Sequence, residues 1–316
     1  MIDLKSIEEA RAVLGERVLR TPLLSSTTLG ERTGTEAWLK AENLQKTGSF
    51  KTRGTLNKIE HLDPSERERG LVAVSAGNHA QALAYAATRA GVRSTVVMPE
   101  SAPKSKVEAS RGYGAEVVLH GSVFDAFDRA EELRRERDLV FVHPFEDPHI
   151  IAGQGTVGLE ILEDLPEVDA VVVPAGGGGL VAGVATAIKA VRPGARVLAV
   201  EPEGAACVTA GLKAGQPVRL ERVHTIADGL GSPVTGALVL EHVRARVDEV
   251  LLVSDEEIVT AMRFLLERCK LLVEPAGAAA VAAMLAGKVD VPRGAVTVAV
   301  LSGGNTDLTQ LRQFLP

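Results

Sequence analysis

The chain has 316 residues, 46% hydrophobic and 24% charged, enough for one large α/β unit or two lobes of ordinary size, and this excludes a disordered or low-complexity protein. A net charge of −6 with only 3% aromatic residues gives no basic footprint for nucleic acid or an anionic membrane and no base-stacking platform. Glycine is in excess, since average usage of about 7% would give about 22 and the chain has 31.

The first segment, MIDLKSIEEARAVLG, reads as a charged amphipathic helix with Ser6 and Glu9 spaced as a capping box, and not as a signal peptide. From residue 70 onward short β-branched runs alternate with helical stretches. LVAV at 71–74 leads into a helix over 78–90, STVVM at 94–98 into one around 103–111, and AEVVL at 115–119 into 122–137, with a short run LVFV at 139–142. A second series begins with DAVVV at 169–173, continues through a glycine loop and a helix over 180–190 to RVLAV at 196–200, and ends in the core strand AVTVAVL at 295–301. Continuous apolar strands separated by helices predict parallel sheets covered on both faces. HPFEDP at 143–148 breaks the pattern and reads as a connection between lobes. The expected division is a small α/β lobe, 69–146, inserted into a larger one made of 1–68 and 147–316, with the site in the crevice at the carboxyl ends of the strands. No apolar run approaches the roughly 20 residues of a membrane span. Cys207 and Cys269 stand far apart without CxxC spacing, which fits a reducing compartment. The expectation is a cytoplasmic protein.

Four stretches carry chemistry. In VVVPAGGGGLVAG a strand runs into Gly176, Gly177, Gly178 and Gly179 and then a helix, exposing backbone N–H groups at the positive end of a helix dipole, an arrangement that holds a phosphate. Gly177, Gly179 and Ala182 also fit the dinucleotide spacing G-x-G-x-x-A, with Glu201 placed as a ribose-binding acid, so a nicotinamide enzyme or a non-catalytic nucleotide-binding protein stays open at this loop. In LQKTGSFKTRG, Lys51 lies between Phe50 and a helix-like segment. An ammonium held against apolar surface has a lowered pKa, and its amine can attack a carbonyl. In VSAGNHAQ a strand opens into Ser75, Ala76, Gly77, Asn78 and His79 ahead of a helix, offering N–H groups for a carboxylate. His79 in that first turn reads as a structural hydrogen-bonder at least as readily as a base. In VAVLSGGN a core strand ends at Ser302, Gly303, Gly304 and Asn305, leaving a hydroxyl free to reach a heteroaromatic ring nitrogen.

Taken together and in this order, with RTPLLSS, HPFEDPHIIAGQGT, TIADGL and VEPAGAAAVAA between them, these stretches resemble the threonine dehydratase and serine racemase group of pyridoxal-phosphate enzymes with the two-lobed tryptophan-synthase-β type of fold. The resemblance spans essentially the whole chain, whereas the dinucleotide reading accounts for one loop. It implies that Lys51 carries the cofactor and later removes the α-proton. It further implies that Gly176 through Leu180 hold the phosphate, that Asn78 bonds the ring hydroxyl, that Ser302 faces the ring nitrogen and that Phe50 packs on the ring, while the loop from Ser75 to His79 receives the substrate carboxylate. A neutral serine at the ring nitrogen makes the cofactor a weaker electron sink and favours departure of a β-hydroxyl.

The implied activity is therefore L-threonine/L-serine dehydratase, giving a 2-oxo acid and ammonia, with dehydration of 3-hydroxyaspartate or serine racemisation as alternatives. Ala76 replaces the serine with which racemases move a proton, and Phe145 replaces their asparagine. The group's divalent-cation site uses an acid at Glu201, the carbonyl of Ala205 and a second acid, where this chain has Cys207. That puts magnesium or calcium in doubt and leaves room for a weakly held monovalent cation. The resemblance also implies a homodimer or homotetramer. The chain stops at Pro316, about a dozen residues after the SGGN turn, so the regulatory domain of biosynthetic relatives is expected to be missing. The surplus glycines are expected at Gly77, Gly176 to Gly179, Gly229, Gly231, Gly303 and Gly304.

Overall fold

The computed structural model describes residues 1–314; Pro316 lies outside them. Its strands are β1 (Leu23–Ser25), β2 (Glu36–Lys40), β3 (Leu71–Val74), β4 (Ser94–Met98), β5 (Glu116–Leu119), β6 (Val140–Phe141), β7 (Ala170–Pro174), β8 (Arg196–Pro202), β9 (Glu249–Val253) and β10 (Val296–Val300). Six form one sheet in the order β1-β2-β10-β7-β8-β9, and four form a second in the order β5-β4-β3-β6. Every pairing is parallel except β1 with β2. Helices cover both faces of a parallel sheet, so its central strands carry apolar side chains in both directions. Accordingly, all residues of β3, β4 and β7 are buried.

The strands expected from β-branched runs are present as β3 to β8 and β10. The sequence reading did not name β1, β2 or β9. β1 has three residues, none buried, and β2 begins on an exposed glutamate and ends on a lysine, so neither shows the apolar run of a central strand; β9, at the sheet edge, does carry one at 250–253. The helix Leu4–Leu14 also departs from expectation at its start. Asp3 is the N-cap, and its carboxylate accepts from the Ser6 amide at 2.9 Å and the Ser6 hydroxyl at 2.8 Å. Ser6 therefore lies inside the first turn and does not cap it.

Three helices pack side by side: Lys51–Glu60 on Pro148–Asp164, and that helix on Gly179–Val191. Glycines set their separation. A Cβ on Gly153 would stand 2.6 Å from Gly54 Cα, one on Gly183 would stand 2.6 Å from Gly155 N, and one on Gly158 would stand 2.9 Å from Ala187 Cβ. Part of the glycine excess thus serves helix packing, away from the loops to which the sequence reading assigned it. A Cβ on Gly77, one of those assigned positions, would meet nothing within 4 Å.

Arg53, fully buried, is held in this contact. Its guanidinium donates to Glu42 at 2.9 and 2.7 Å, to Glu160 at 2.6 and 2.9 Å and to Thr156 at 3.1 Å. Lys40 adds a second cation, 2.6 Å from Glu160. Two carboxylates and two cations compensate one another, the condition under which charges can be buried. The network ties the end of β2 and the helix Pro148–Asp164 to the helix that begins at Lys51.

Gly183→Ala would push a methyl group into the backbone of Ile151 and Gly155. It should lower stability by about 1–3 kcal/mol in urea denaturation. Gly194→Ala, which faces open space, should change it by less than about 0.5 kcal/mol; equal effects would contradict this packing account.

Candidate active site

A cavity of about 490 Å³ opens where the chain leaves β3, β4, β6, β7 and β10, and Phe50, Lys51, Ser75 to His79, Gly176 to Leu180 and Ser302 all line it. Carboxyl ends of parallel strands are where such sheets bind ligands. Glu201 and Ala205 are not on its wall.

Lys51 is the first residue of the helix Lys51–Glu60 and follows Phe50 as N-cap. Its Nζ donates to Pro144 O at 2.8 Å and sits 5.1 Å from the centre of the Phe50 ring. Among the described residues no carboxylate compensates its burial, which lowers its pKa to about 8. The segment before it is joined to the turn after β10. Phe50 N donates to Ser302 O at 3.1 Å, Gly304 N donates to Gly48 O at 2.9 Å, and Ser49 and Gly303 form an antiparallel bridge. Ser302, 3% exposed, points its hydroxyl to Ala276 O at 3.3 Å.

The glycine loop follows β7. Gly178 has φ +89°, which disfavours a side chain. Close neighbours explain the rest: a Cβ on Gly176 would stand 2.9 Å from Leu230 Cα, one on Gly178 would stand 2.6 Å from Val239 Cγ1, one on Gly179 would stand 2.9 Å from Phe145 Cβ, and one on Gly177 would enter the Phe145 ring. The loop leads into the thirteen-residue helix Gly179–Val191, so its amides stand at the positive end of a helix dipole.

In the 75–79 loop, Ser75 N already donates to Val97 O at 3.2 Å and Gly77 N to Ser75 Oγ at 3.1 Å. Among the described residues this leaves the amides of Ala76, Asn78 and His79 as the donors for a carboxylate, a smaller set than the sequence suggested. His79 donates from Nε2 to Val142 O at 3.0 Å, with Nδ1 buried and unpartnered. Burial, then the Lys51 charge, lowers its pKa to about 3. The ring is neutral at pH 7 and acts as an anchor between the helix Asn78–Arg89 and the chain after β6. Asn78 bonds Glu274 through Nδ2, and its Oδ1 accepts from Asn305 at 2.9 Å.

The sequence reading missed Glu274 as a site group. Its carboxylate is 2% exposed, and burial, then the Asp228 charge, raises its pKa to about 7. The available sign was a lone acid inside the apolar run LLVEPAGAAAVAA. Lys106 and Asp228, paired across the same cavity, left no sign, because an ion pair between distant segments has no spacing rule.

Glu201 lies elsewhere. Its carboxylate accepts from Val208 N at 2.7 Å, Thr209 N at 2.9 Å and Thr209 Oγ1 at 2.7 Å, and so closes the start of the helix Cys207–Ala214. Burial pushes the Cys207 thiol up to about 12, so it stays protonated and donates to Gly176 O at 3.3 Å. A hard divalent cation needs several free oxygen ligands, and this set does not fit one.

The family model for pyridoxal-phosphate-dependent enzymes matches residues 15–303. L-threonine ammonia-lyase of Thermotoga maritima is 50% identical over 316 residues, covering 100% of this chain and 78% of that protein. The catabolic L-threonine dehydratase TdcB of Escherichia coli is 44% identical, covering 99% and 96%. Among solved structures, maize serine racemase superposes with a TM-score of 0.94 at 40% identity, covering 98% of this chain and 96% of that one.

With its pKa near 8, Lys51 should expose a neutral amine at lower pH than an ordinary lysine near 10.4. In competitive labelling of cofactor-free protein with an amine-reactive reagent, Lys51 modification should rise with pH to a midpoint near 8, well below that of the exposed lysines. A midpoint shared with them would contradict the burial argument.

Proposed function

The chain belongs to the pyridoxal-phosphate-dependent enzymes, and on that basis we propose that it is an L-threonine/L-serine dehydratase (ammonia-lyase). L-Threonine would give 2-oxobutanoate and ammonia, and L-serine would give pyruvate and ammonia. The observation that carries this is the convergence of a buried, uncompensated lysine, a glycine loop at a helix start and a serine hydroxyl on one cavity, in a chain 44–50% identical to the threonine enzymes over essentially its whole length.

The residues present fit the cofactor. The glycine loop offers backbone amides where side chains are sterically excluded. Lys51 has only a carbonyl partner in Pro144, and Ser302 places a neutral hydroxyl on the wall. When bound, pyridoxal phosphate supplies an aldehyde that takes up an amine and a conjugated ring that accepts the electron pair released at the substrate α-carbon.

This chain's residues do the rest. Amides from Gly176 to Leu180 would hold the phosphate. Phe50 would pack on the ring, Asn78 would direct its remaining amide hydrogen to the ring hydroxyl, and Ser302 would offer the ring nitrogen an uncharged hydroxyl. The amides of Ala76, Asn78 and His79 orient the substrate carboxylate. Lys51 Nζ, about a tenth neutral at pH 7 for a pKa near 8, would be the base for the substrate α-proton, and loss of the β-hydroxyl would go with it. Ala76 has no proton to exchange, which disfavours a two-base racemisation.

We also assign 1–68 with 147–316 to the cofactor-holding domain and 69–146 to the substrate domain, following the two sheets. Homo-oligomerisation is supported by exposed Leu44 and Leu272, on adjoining loops joined by Asn43 Nδ2 to Leu272 O at 3.1 Å. A cytoplasmic setting is supported by two free cysteines, and no helix among the described residues is long and apolar enough to cross a membrane.

Steady-state assays of the purified holoenzyme with L-threonine, L-serine, D-serine and 3-hydroxyaspartate should give 2-oxo acid from the first two in preference to the others. Lys51→Ala should lower kcat by at least about 10³-fold. Full activity in that variant, or preference for 3-hydroxyaspartate, would contradict the assignment.

A further inference from the structure

The connection 143–147 touches the cavity wall at Lys51 and at two residues of the glycine loop, Gly177 and Gly179. Pro144 O receives Lys51 Nζ at 2.8 Å. The Phe145 ring fills the space that Gly177 leaves by having no side chain, and Phe145 Cβ and backbone do the same at Gly179. The stretch has no secondary structure of its own, so side-chain contacts must fix its course.

Upstream, His143 Nδ1 accepts from the amides of Phe145 at 3.3 Å and Glu146 at 2.8 Å. Downstream, Asp147 caps the helix Pro148–Asp164 through His149 N at 2.8 Å and Ile150 N at 3.2 Å, and it pairs with Lys58 at 2.8 Å. Both ties lie within the connection or against the helices next to it. Glu146 alone of these reaches across to the elements behind the glycine loop. Its carboxylate accepts from Leu238 N at 2.6 Å and Val239 N at 3.2 Å, the first-turn amides of the ten-residue helix Ala237–Arg246, which has no side-chain cap from its own Gly236. Unpaired amides at a helix start attract a carboxylate. A Cβ on Gly236 would enter the Glu146 carboxylate and displace it.

The same helix packs on the cradle from behind, since Val239 Cγ1 would stand 2.6 Å from a Cβ on Gly178. Glu146 therefore closes a ring of contacts. It holds the Val239 amide, the Val239 side chain abuts Gly178, and Gly177 and Gly179 abut Phe145, the residue next to Glu146.

We propose that Glu146 is a positioning residue for the cofactor site, holding the connection so that Pro144 O stays on Lys51 and the Phe145 ring stays closed against the glycine loop. This rests on the pyridoxal-phosphate reading above. Loss of the carboxylate frees the connection and slackens the cradle before it unfolds the protein, because the helix Ala237–Arg246 keeps its side-chain packing.

The test titrates full-length, cofactor-stripped protein with pyridoxal phosphate, following the visible absorption of the lysine-bound cofactor, and measures thermal unfolding of the same apoprotein. Glu146→Ala should weaken cofactor binding by about tenfold with the apoprotein still folding cooperatively. Glu146→Gln, which keeps an acceptor oxygen for one of the two amides and sets an NH2 against the other, should recover part of the affinity. Gly236→Ala displaces the same carboxylate from the opposite side and should reproduce the Glu146→Ala defect. Wild type that binds while folded Glu146→Ala and Gly236→Ala bind equally well would overturn this assignment alone, as would Glu146→Gln binding no better than Glu146→Ala. Loss of folding in both the alanine and the Gly236 variants would make the contact structural and overturn it too. Wild type that takes up no pyridoxal phosphate would overturn the functional reading, and this assignment with it.

Discussion

The site depends on a short junction in which residues 48–50 lie against residues 302–304. Two backbone hydrogen bonds and one bridge join them, and they bring the start of the Lys51 helix against the end of β10. Gly48, at φ +72°, can make this approach because a side chain there would collide with Asn305. Asn305 extends the junction, donating to Thr47 O at 2.7 Å and to Asn78 Oδ1 at 2.9 Å. Segments from both sheets thereby meet at one point, and the amine, the serine hydroxyl and the 75–79 loop share one cavity. Any displacement of the junction would move all three together.

One helix also separates two fates of a buried cation. Arg53 lies two residues after Lys51 and is fully buried, yet two glutamates surround it and keep it charged. Lys51 has a carbonyl and an aromatic ring as neighbours, and burial weakens its hold on the proton. Uncompensated burial disfavours the charged form, and compensation restores it. The paired charges give the helix a fixed seat, and that seat lets the unpaired amine be held at the cavity wall. Elsewhere on the wall, Glu274 shows the same rule with the opposite sign, a carboxyl held high by burial beside Asp228.

Much of the fold was legible because central parallel strands must be apolar throughout, and LVAV, STVVM and DAVVV announce themselves. The strand EAWLK, paired on both sides, carries charge at its ends and gave no comparable pattern. The positions of Lys51, the four glycines, the 75–79 loop and Ser302 were legible because each sits where a strand or helix begins or ends, and small residues mark the close approach. Glu274, Lys106, Asp228 and Glu146 were not, since their importance comes from partners far away in sequence. The glycine excess was half legible. Loop glycines could be assigned to the cavity, but Gly153, Gly158 and Gly183 sit inside helices and show their purpose only when neighbouring backbones are in view. The Glu201 pattern misled for a related reason: an acid at a strand end suggests a ribose or a metal until the helix Cys207–Ala214 is seen to start on it.

The central claim is that one lysine, placed by that junction, carries the chemistry of the cavity. Borohydride reduction of the holoenzyme followed by peptide mapping tests it most directly. The account predicts a single reduced pyridoxyl-phosphate adduct per chain, on the peptide containing Lys51. An adduct on a different lysine, or none on a protein that retains dehydratase activity, would contradict it.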